Sequence, residues 1–539
     1  MIPDLGRADA RSAWTRWAIA AVAAFALADG SIVTLALPQL LQELHTSVEG
    51  VAAILVVYCA VLAATLPLAR RLAARWSIQM VGIAGLALLA AASLACAASG
   101  SLTLLLVGRA GQAIGAAGAL LLAFNTLRYP AASDGFERLS LWRASAIFGT
   151  AAGPAIGGAL TQAFSWRAIF LVQVPIALVA AFLCATAGAP ASAVDDADPG
   201  RVGVLPRQRA AAAALAATAA ALSAVLFLLV LLLVIGGGLS PLHAAAVLSV
   251  LPAVAIAAAR LRARAAARAA VGCVALGVAL VMLAFLPRSS FAWLVVPEVL
   301  AGLGMGLALP ALAGELLPER SIAQASRLLT IRFAGIAITL IALAPLIAGQ
   351  LHRATDRGRL QGVAALVASP LSPGAKLSLA PSLARSIDSD RPRQSLATTV
   401  ARVSPGLSAS DRRALTSLEH QGDAIIFSIV IDSLRDAFLI AAALVLIAAL
   451  LVRPPGRRQS TAALAVCSLL LSAAFVLAAI ASRPALPAVD APCRPERVPD
   501  ASGIEGLLQS GAITVLDWVA CARNVSREQL LLQIAGGSG

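Results

Sequence analysis

The feature that most constrains this chain is a succession of apolar runs, each about 20 residues long, the length of helix needed to cross a bilayer's hydrocarbon core. They cover 17–39, 48–69, 77–99, 102–125, 141–163 and 167–188, then 210–235, 240–259, 270–287, 291–313, 328–350, 433–453 and 461–481. Backbone amides and carbonyls find no water inside lipid, so each run must satisfy them internally and is predicted to be a helix. The fold class expected is an all-α polytopic membrane protein. Composition agrees: 60% of residues are hydrophobic and 13% charged, against about 25% charged in soluble domains.

A net charge of +14 raises the question of nucleic acid, and placement answers it. The arginines fall in short loops between apolar runs rather than on a solvated basic domain, so nucleic acid is excluded as a partner and the lipid bilayer is implied. With the N-terminus in the cytoplasm, inside segments hold Arg70, Arg71 and Arg75, then Arg128, Arg138 and Arg143, then Arg201, Arg207 and Arg209. Later inside segments hold Arg260, Arg262, Arg264 and Arg268, then Arg320 and Arg327, then Arg453, Arg457 and Arg458. Short outside loops hold only Arg167 and Arg288. Positive charge stays on one side throughout, as cytoplasmic loops require. Trp14, Trp17, Trp142, Trp166 and Trp293 fall at span ends and are predicted to form an interfacial belt. No small-residue cleavage site closely follows Arg7, Arg11 and Arg16, so the first helix is expected to be retained.

Five cysteines lie in apolar runs, where a thiol behaves as a small hydrophobe. Cys493 and Cys521 lie instead in a polar tail that the odd thirteenth span places outside. In an oxidising compartment, two such cysteines are a disulfide candidate.

Two charged residues stand out within spans. Asp29 lies roughly 15 Å from the outer end of the first span, and Arg109 roughly 10 Å below the outer end of the fourth, counting 1.5 Å per helical residue. Both reach a common level in the outer half of the membrane, and whether they pair is left open by the sequence. Intramembrane charge is costly and points to function, so both are candidates for proton coupling, with Glu298 in the tenth span as a third. Small-residue stripes surround them. Gly108, Gly111, Gly115 and Gly118 recur every three or four residues, and so do Gly149, Gly153 and Gly157, with Pro154 and Gly158 beside them. Such stripes permit close helix approach, and the proline removes a backbone donor. The tenth span repeats the pattern with Gly302, Gly304, Gly306 and Pro310. An echo six helices apart suggests two six-helix halves with a site between them.

These motifs resemble the major facilitator superfamily, and within it the multidrug/proton antiporter branch, over about residues 15–453. "ADGSIVTLALP" matches that branch's first-helix motif at Asp29, Ile32, Val33, Ala36, Leu37 and Pro38, with Ser31 and Thr34 replacing the usual Thr and Asn. "RAGQAIGAAGA" matches its fourth-helix motif at Arg109, Gln112 and Gly115, with Ala113 where glycine is usual. "GPAIGG" followed by "SWRAIFLVQVPIA" is similar to the antiporter motif of the fifth helix, and "DSLRDAFLIAAAL" to the branch's last helix. The resemblance implies a major facilitator fold of two six-helix bundles, in which Gly111, Gln112, Gly115, Gly149, Gly153, Pro154, Gly157 and Gly158 serve helix packing and gating.

The chain also departs from the pattern. Arg70, Ala74 and Ser77 stand where the loop after the second helix normally carries glycine, an acid and glycine, so its cytoplasmic latch is largely lost. The thirteenth span has no counterpart. The expected organisation is a cytoplasmic N-terminus (1–16), a first bundle (17–188), a cytoplasmic linker (189–209), a second bundle (210–453) with an outer loop (351–424), an extra transmembrane helix (454–481) and an extracytoplasmic tail (482–539).

No metal cluster, nucleophilic triad or phosphate-cradling loop stands out, so an enzyme is not expected. The leading expectation is a multi-pass exporter in a bacterial cytoplasmic membrane. It would need no cofactor, draw on the proton gradient, and move a small amphipathic or cationic compound by alternating access. The alternative is a degenerate facilitator that no longer transports and acts as a membrane sensor or assembly partner, engaging an extracytoplasmic protein through 351–424 or 482–539.

Overall fold

The computed structural model describes residues 3–128, 135–186, 206–261, 263–286, 291–318, 320–372, 375–376, 379, 397–398, 400–402, 404–406, 408–452, 458–481, 493 and 504–535. The linker expected at 189–209 lies outside these up to residue 205, as do 380–396 of the outer loop and most of 482–503.

Every regular element among the described residues is helical. The first half comprises α1 (Pro3–Thr34), α2 (Leu37–Glu43), α3 (Val48–Arg75), α4 (Ile78–Ala97), α5 (Leu102–Arg128), α6 (Gly135–Ala163), α7 (Trp166–Leu171) and α8 (Gln173–Thr186). The second comprises α9 (Pro206–Val230), which runs on into a π-turn to Gly236, then α10 (Pro241–Leu248), α11 (Val250–Ala259), α12 (Ala265–Ala284), α13 (Val295–Leu316), α14 (Ile322–Ala368) and α15 (Ala409–Leu451). Three helices follow: α16 (Arg458–Ala481), α17 (Ile504–Ala522) and α18 (Arg527–Ala535). Among the described residues, 11 helices are long and apolar enough to cross a membrane. The runs at 141–163 and 461–481 are helical as well, within α6 and α16.

Helix contacts repeat from one half to the other. In the first, α1 packs on α6, α4 on α5, α3 on α5 and α4 on α8. Six spans later, α9 packs on α14, α12 on α13, α11 on α13 and α12 on α15. The halves meet where α3 lies against α14 and α6 against α10. This is the internal two-fold repeat that the glycine stripes suggested, now visible as packing.

Glycine sets the closest approaches. A Cβ at Gly149 or Gly157 would meet the carbonyl oxygens of Ala24 and Ile32, and one at Gly153 the Ser31 hydroxyl, so α6 lies directly on the α1 backbone. A Cβ at Gly115 would meet the Gly85 carbonyl at 2.6 Å, and in the other half one at Gly304 would meet the Gly272 carbonyl at 2.8 Å. With little hydrophobic drive between helices in lipid, such close backbone contact contributes much of the packing attraction.

Two expectations need correction. The segment 351–424 is not simply a polar loop: α14 runs unbroken to Ala368, and α15 begins at Ala409. Leu366 of one extension and Leu415, Leu418 and Ile425 of the other, with Leu371 and Leu379 from between them, form an apolar core separate from that of the bundle. Nor do all five tryptophans form a lipid-facing belt. Trp14 and Trp17 are exposed, but Trp166 is fully buried and Trp142 nearly so. The Trp166 indole N–H donates to Glu43 at 2.7 Å and its backbone N–H to Gln39 at 3.2 Å. Trp142 stacks edge-on against Phe124. Both rings satisfy protein partners instead of lipid headgroups. In the tail, Cys493 and Cys521 are joined by a disulfide with their Cα atoms 4.5 Å apart.

Candidate functional site

The Asp29 carboxylate, on α1, meets the Arg109 guanidinium, on α5, at 2.5 Å, and the two side chains are 1% and 0% exposed. Each of the other two guanidinium nitrogens of Arg109 has a partner. Nε donates to the Ile54 carbonyl at 3.2 Å and Nη1 to Gln112 Oε1 at 3.0 Å. Gln112 in turn donates from Nε2 to Ser93 at 2.8 Å and accepts from the Cys96 thiol at 3.4 Å. Gln173 Nε2 donates to the other Asp29 oxygen at 3.4 Å. The Tyr58 ring lies 4.4 Å under the Arg109 guanidinium, and its hydroxyl donates to the Ala26 carbonyl at 3.0 Å. Helices α1, α3, α4, α5 and α8 thus converge on one ion pair. A fully buried pair is tolerated when its other donors and acceptors are met in this way, and breaking it leaves an uncompensated charge.

The third candidate, Glu298 on α13, is placed apart from this cluster. It is 1% exposed, and neither carboxyl oxygen has a hydrogen-bond partner. A carboxyl group buried without a donor carries a desolvation cost that no neighbour offsets.

Sequence reasoning passed over several residues that the structure brings into play. Two cavities lie between the halves. The larger, about 540 Å³, is lined by apolar residues of α1, α6, α9, α11, α13 and α14 together with Arg268, Glu315 and Arg332. The smaller, about 50 Å³, lies deeper and is lined by Ser31, Thr34, Cys59, Ser223 and again Arg332. Arg332 sits only a few residues inside the run 328–350, where it reads as an interfacial anchor. The rule that singled out Arg109, charge within an apolar run, applies to it equally. Tyr58 bridges the two regions, because its ring also packs edge-on against Phe333, with centroids 6.4 Å apart. The sequence offers no signal for that contact.

The larger cavity lies toward the end of the bundle that carries Ala263, Glu315 and Pro318. At the opposite end the halves are in contact, for a Cβ at Gly158 would meet the Pro241 carbonyl at 2.8 Å and the Ala245 methyl at 2.5 Å. That end of the first half is further tied by Glu43, which accepts from the Trp166 indole and, at 3.0 Å, from Arg167. Burial alone would raise the Glu43 carboxyl, but these hydrogen bonds and the Arg167 charge outweigh it and hold it below the ordinary carboxylate value.

The sequence profile of the Major Facilitator Superfamily matches residues 19–340. Among characterised proteins, the chain is 29% identical over 157 residues to the multidrug resistance protein Stp of Mycobacterium tuberculosis (strain CDC 1551 / Oshkosh), covering 29% of each chain. It is 36% identical over 162 residues to the methylenomycin A resistance protein of Bacillus subtilis (strain 168), covering 29% of this chain and 34% of that protein. The match therefore spans about a third or less of these relatives' length. Among solved structures, a bacterial homologue of the human lysosomal transporter Spinster, in an inward-facing and occupied conformation, aligns over 87% of this chain and 98% of its own. The TM-score is 0.53 at 16% identity, a likeness of fold.

Proposed function

The chain belongs to the Major Facilitator Superfamily, a family of membrane transporters rather than enzymes, and from that premise we propose that it exports a small amphipathic or cationic compound in exchange for protons. The relatives named for drug resistance support export. Orientation follows the positive-inside rule, with the larger cavity toward a bacterial cytoplasm and the Gly158 contact toward the outside.

The observation that carries the reading is the buried Asp29–Arg109 pair. Proton entry onto Asp29 would remove the negative partner and leave the Arg109 charge to Gln112, the Ile54 carbonyl and the rings of Tyr58 and Phe170. Rearrangement of that arginine would pass through Tyr58 to Phe333 and its neighbour Arg332, which lines both cavities. A proton event in the first half would so be felt in the substrate space of the second, which is the coupling that exchange by alternating access requires. Glu298, buried without a partner, is the second proton carrier in this scheme.

The test is gradient-driven accumulation of a fluorescent substrate in inside-out vesicles. Asp29→Asn is expected to abolish accumulation while leaving substrate binding in place. Undiminished accumulation by that variant would remove Asp29 from the mechanism. A second reading, a non-transporting membrane sensor or assembly partner, is favoured by Arg70, Ala74 and Ser77 in place of the latch. Absence of transport together with co-purification of a stable partner would select it.

A further inference from the structure

We propose that Gly30 is a specificity-determining residue: its missing side chain leaves a pocket for one slim end of the substrate. The ring-bearing body of the same molecule stays in the larger cavity. The proposal rests on the transport reading and names the shape of compound that the site selects.

Two observations meet at Gly30. It lines the smaller cavity, and a Cβ there would have nothing within 4 Å. The glycines of α6 differ, for Gly153 and Gly157 are crowded by the Ser31 hydroxyl and the Ile32 carbonyl. Packing accounts for those glycines, whereas Gly30 faces open space. Leu27, Gly30 and Thr34, three and four residues apart on α1, line that space together. Its opposite wall comes from the second half, through Leu222, Ser223 and Leu226 of α9. Leu27, Leu309 and Arg332 line both cavities, so the smaller space adjoins the larger.

Volume decides what enters. One water needs about 10–15 Å³ of such space, so a cavity of about 50 Å³ takes roughly three to five non-hydrogen atoms. A methyl or hydroxyethyl end fits, and a phenyl ring does not. Thr34 donates its hydroxyl proton to the Gly30 carbonyl, which leaves its oxygen free to accept from a hydroxyl on the entering end. The larger cavity, about 540 Å³, with Trp142, Met305 and Pro310 in its wall, holds the body. Gly30 follows Asp29 directly, so the bound end lies against the turn of α1 that carries the acid.

Three phosphonium ions with one triphenyl body and one charge test this: the methyl, 2-hydroxyethyl and phenyl compounds. Binding is read by equilibrium dialysis on the purified full chain in detergent, and uptake in inside-out vesicles under a pH gradient. Gly30→Val should weaken binding of the methyl and 2-hydroxyethyl ions about tenfold, the scale of two methylenes denied burial. Tetraphenylphosphonium, whose fourth ring never enters the pocket, is expected to bind the variant unchanged, which separates loss of the pocket from loss of the fold. Should Gly30→Val fail to elute as a monodisperse protein, Gly30→Ala gives the same comparison with the 2-hydroxyethyl ion. Uptake of all three ions, with binding indifferent to Gly30, would overturn the pocket and leave the transport reading intact. Binding in the expected order without uptake would uphold the pocket and overturn transport. Binding of none of the three would overturn the proposal.

Discussion

At the scale of single residues, the decisive fact is that one acid and one arginine, 80 positions apart, are each other's partner inside the membrane. Asp29→Ala leaves Arg109 buried without its countercharge, a loss on the order of 3–5 kcal/mol. Removing both, as Asp29→Ala with Arg109→Leu, is expected to cost less than the acid alone, because no orphan charge remains. Unfolding of the purified single and double variants in detergent checks this. Equal destabilisation by the single and the double variant would mean that the pair contributes no coupling energy. The pairing was not legible beforehand: helical rise placed both residues at one depth, but depth does not fix azimuth. Five helices had to pack before Arg109 faced α1, and its ring partner Tyr58 follows from the same packing.

At the scale of elements, glycine decides which helices touch. Gly157 has the Ile32 carbonyl where its Cβ would sit, whereas a Cβ at Gly30 would have nothing within 4 Å. Gly157→Ala should therefore force α6 off α1 and cost about 1–3 kcal/mol, as overpacking does, while Gly30→Ala leaves the unfolding midpoint the same or slightly raised. Thermal unfolding of the two variants side by side checks the contrast. The stripes themselves were readable, because helical periodicity puts residues three and four apart on one face. Their partners were not. The extension of α14 and α15 also escaped the sequence reading. Residues 351–424 lack a long apolar run, and their helices are stabilised by contact between Leu366, Leu371, Leu415 and Leu418 from opposite ends of that segment. The spacing of Leu415, Leu418 and Ile425 was the available signal.

At the scale of the molecule, the two halves are closed at the end where Gly158 faces Ala245 and open around the larger cavity at the other. If alternating access operates, this closure must break in each cycle. Cysteines introduced as Gly158→Cys with Ala245→Cys are expected to crosslink under mild oxidant, to block transport when linked, and to release it on reduction. Gel mobility and vesicle transport, measured on the same samples, read both effects. Transport that continues in the crosslinked protein would show that this contact need not open.

The sequence by itself determined the membrane class, the eleven spans found among the described residues and the two-fold repeat. Each of these is a sum over neighbouring residues, and hydropathy and helical period are local quantities. Only the tertiary structure decided that Asp29 is held by Arg109, that Glu298 stands apart without a donor, and that Trp142 and Trp166 turn inward. Those outcomes depend on which helix face meets which. In a bilayer that choice is made by close packing between distant segments, since every apolar face is equally acceptable to lipid.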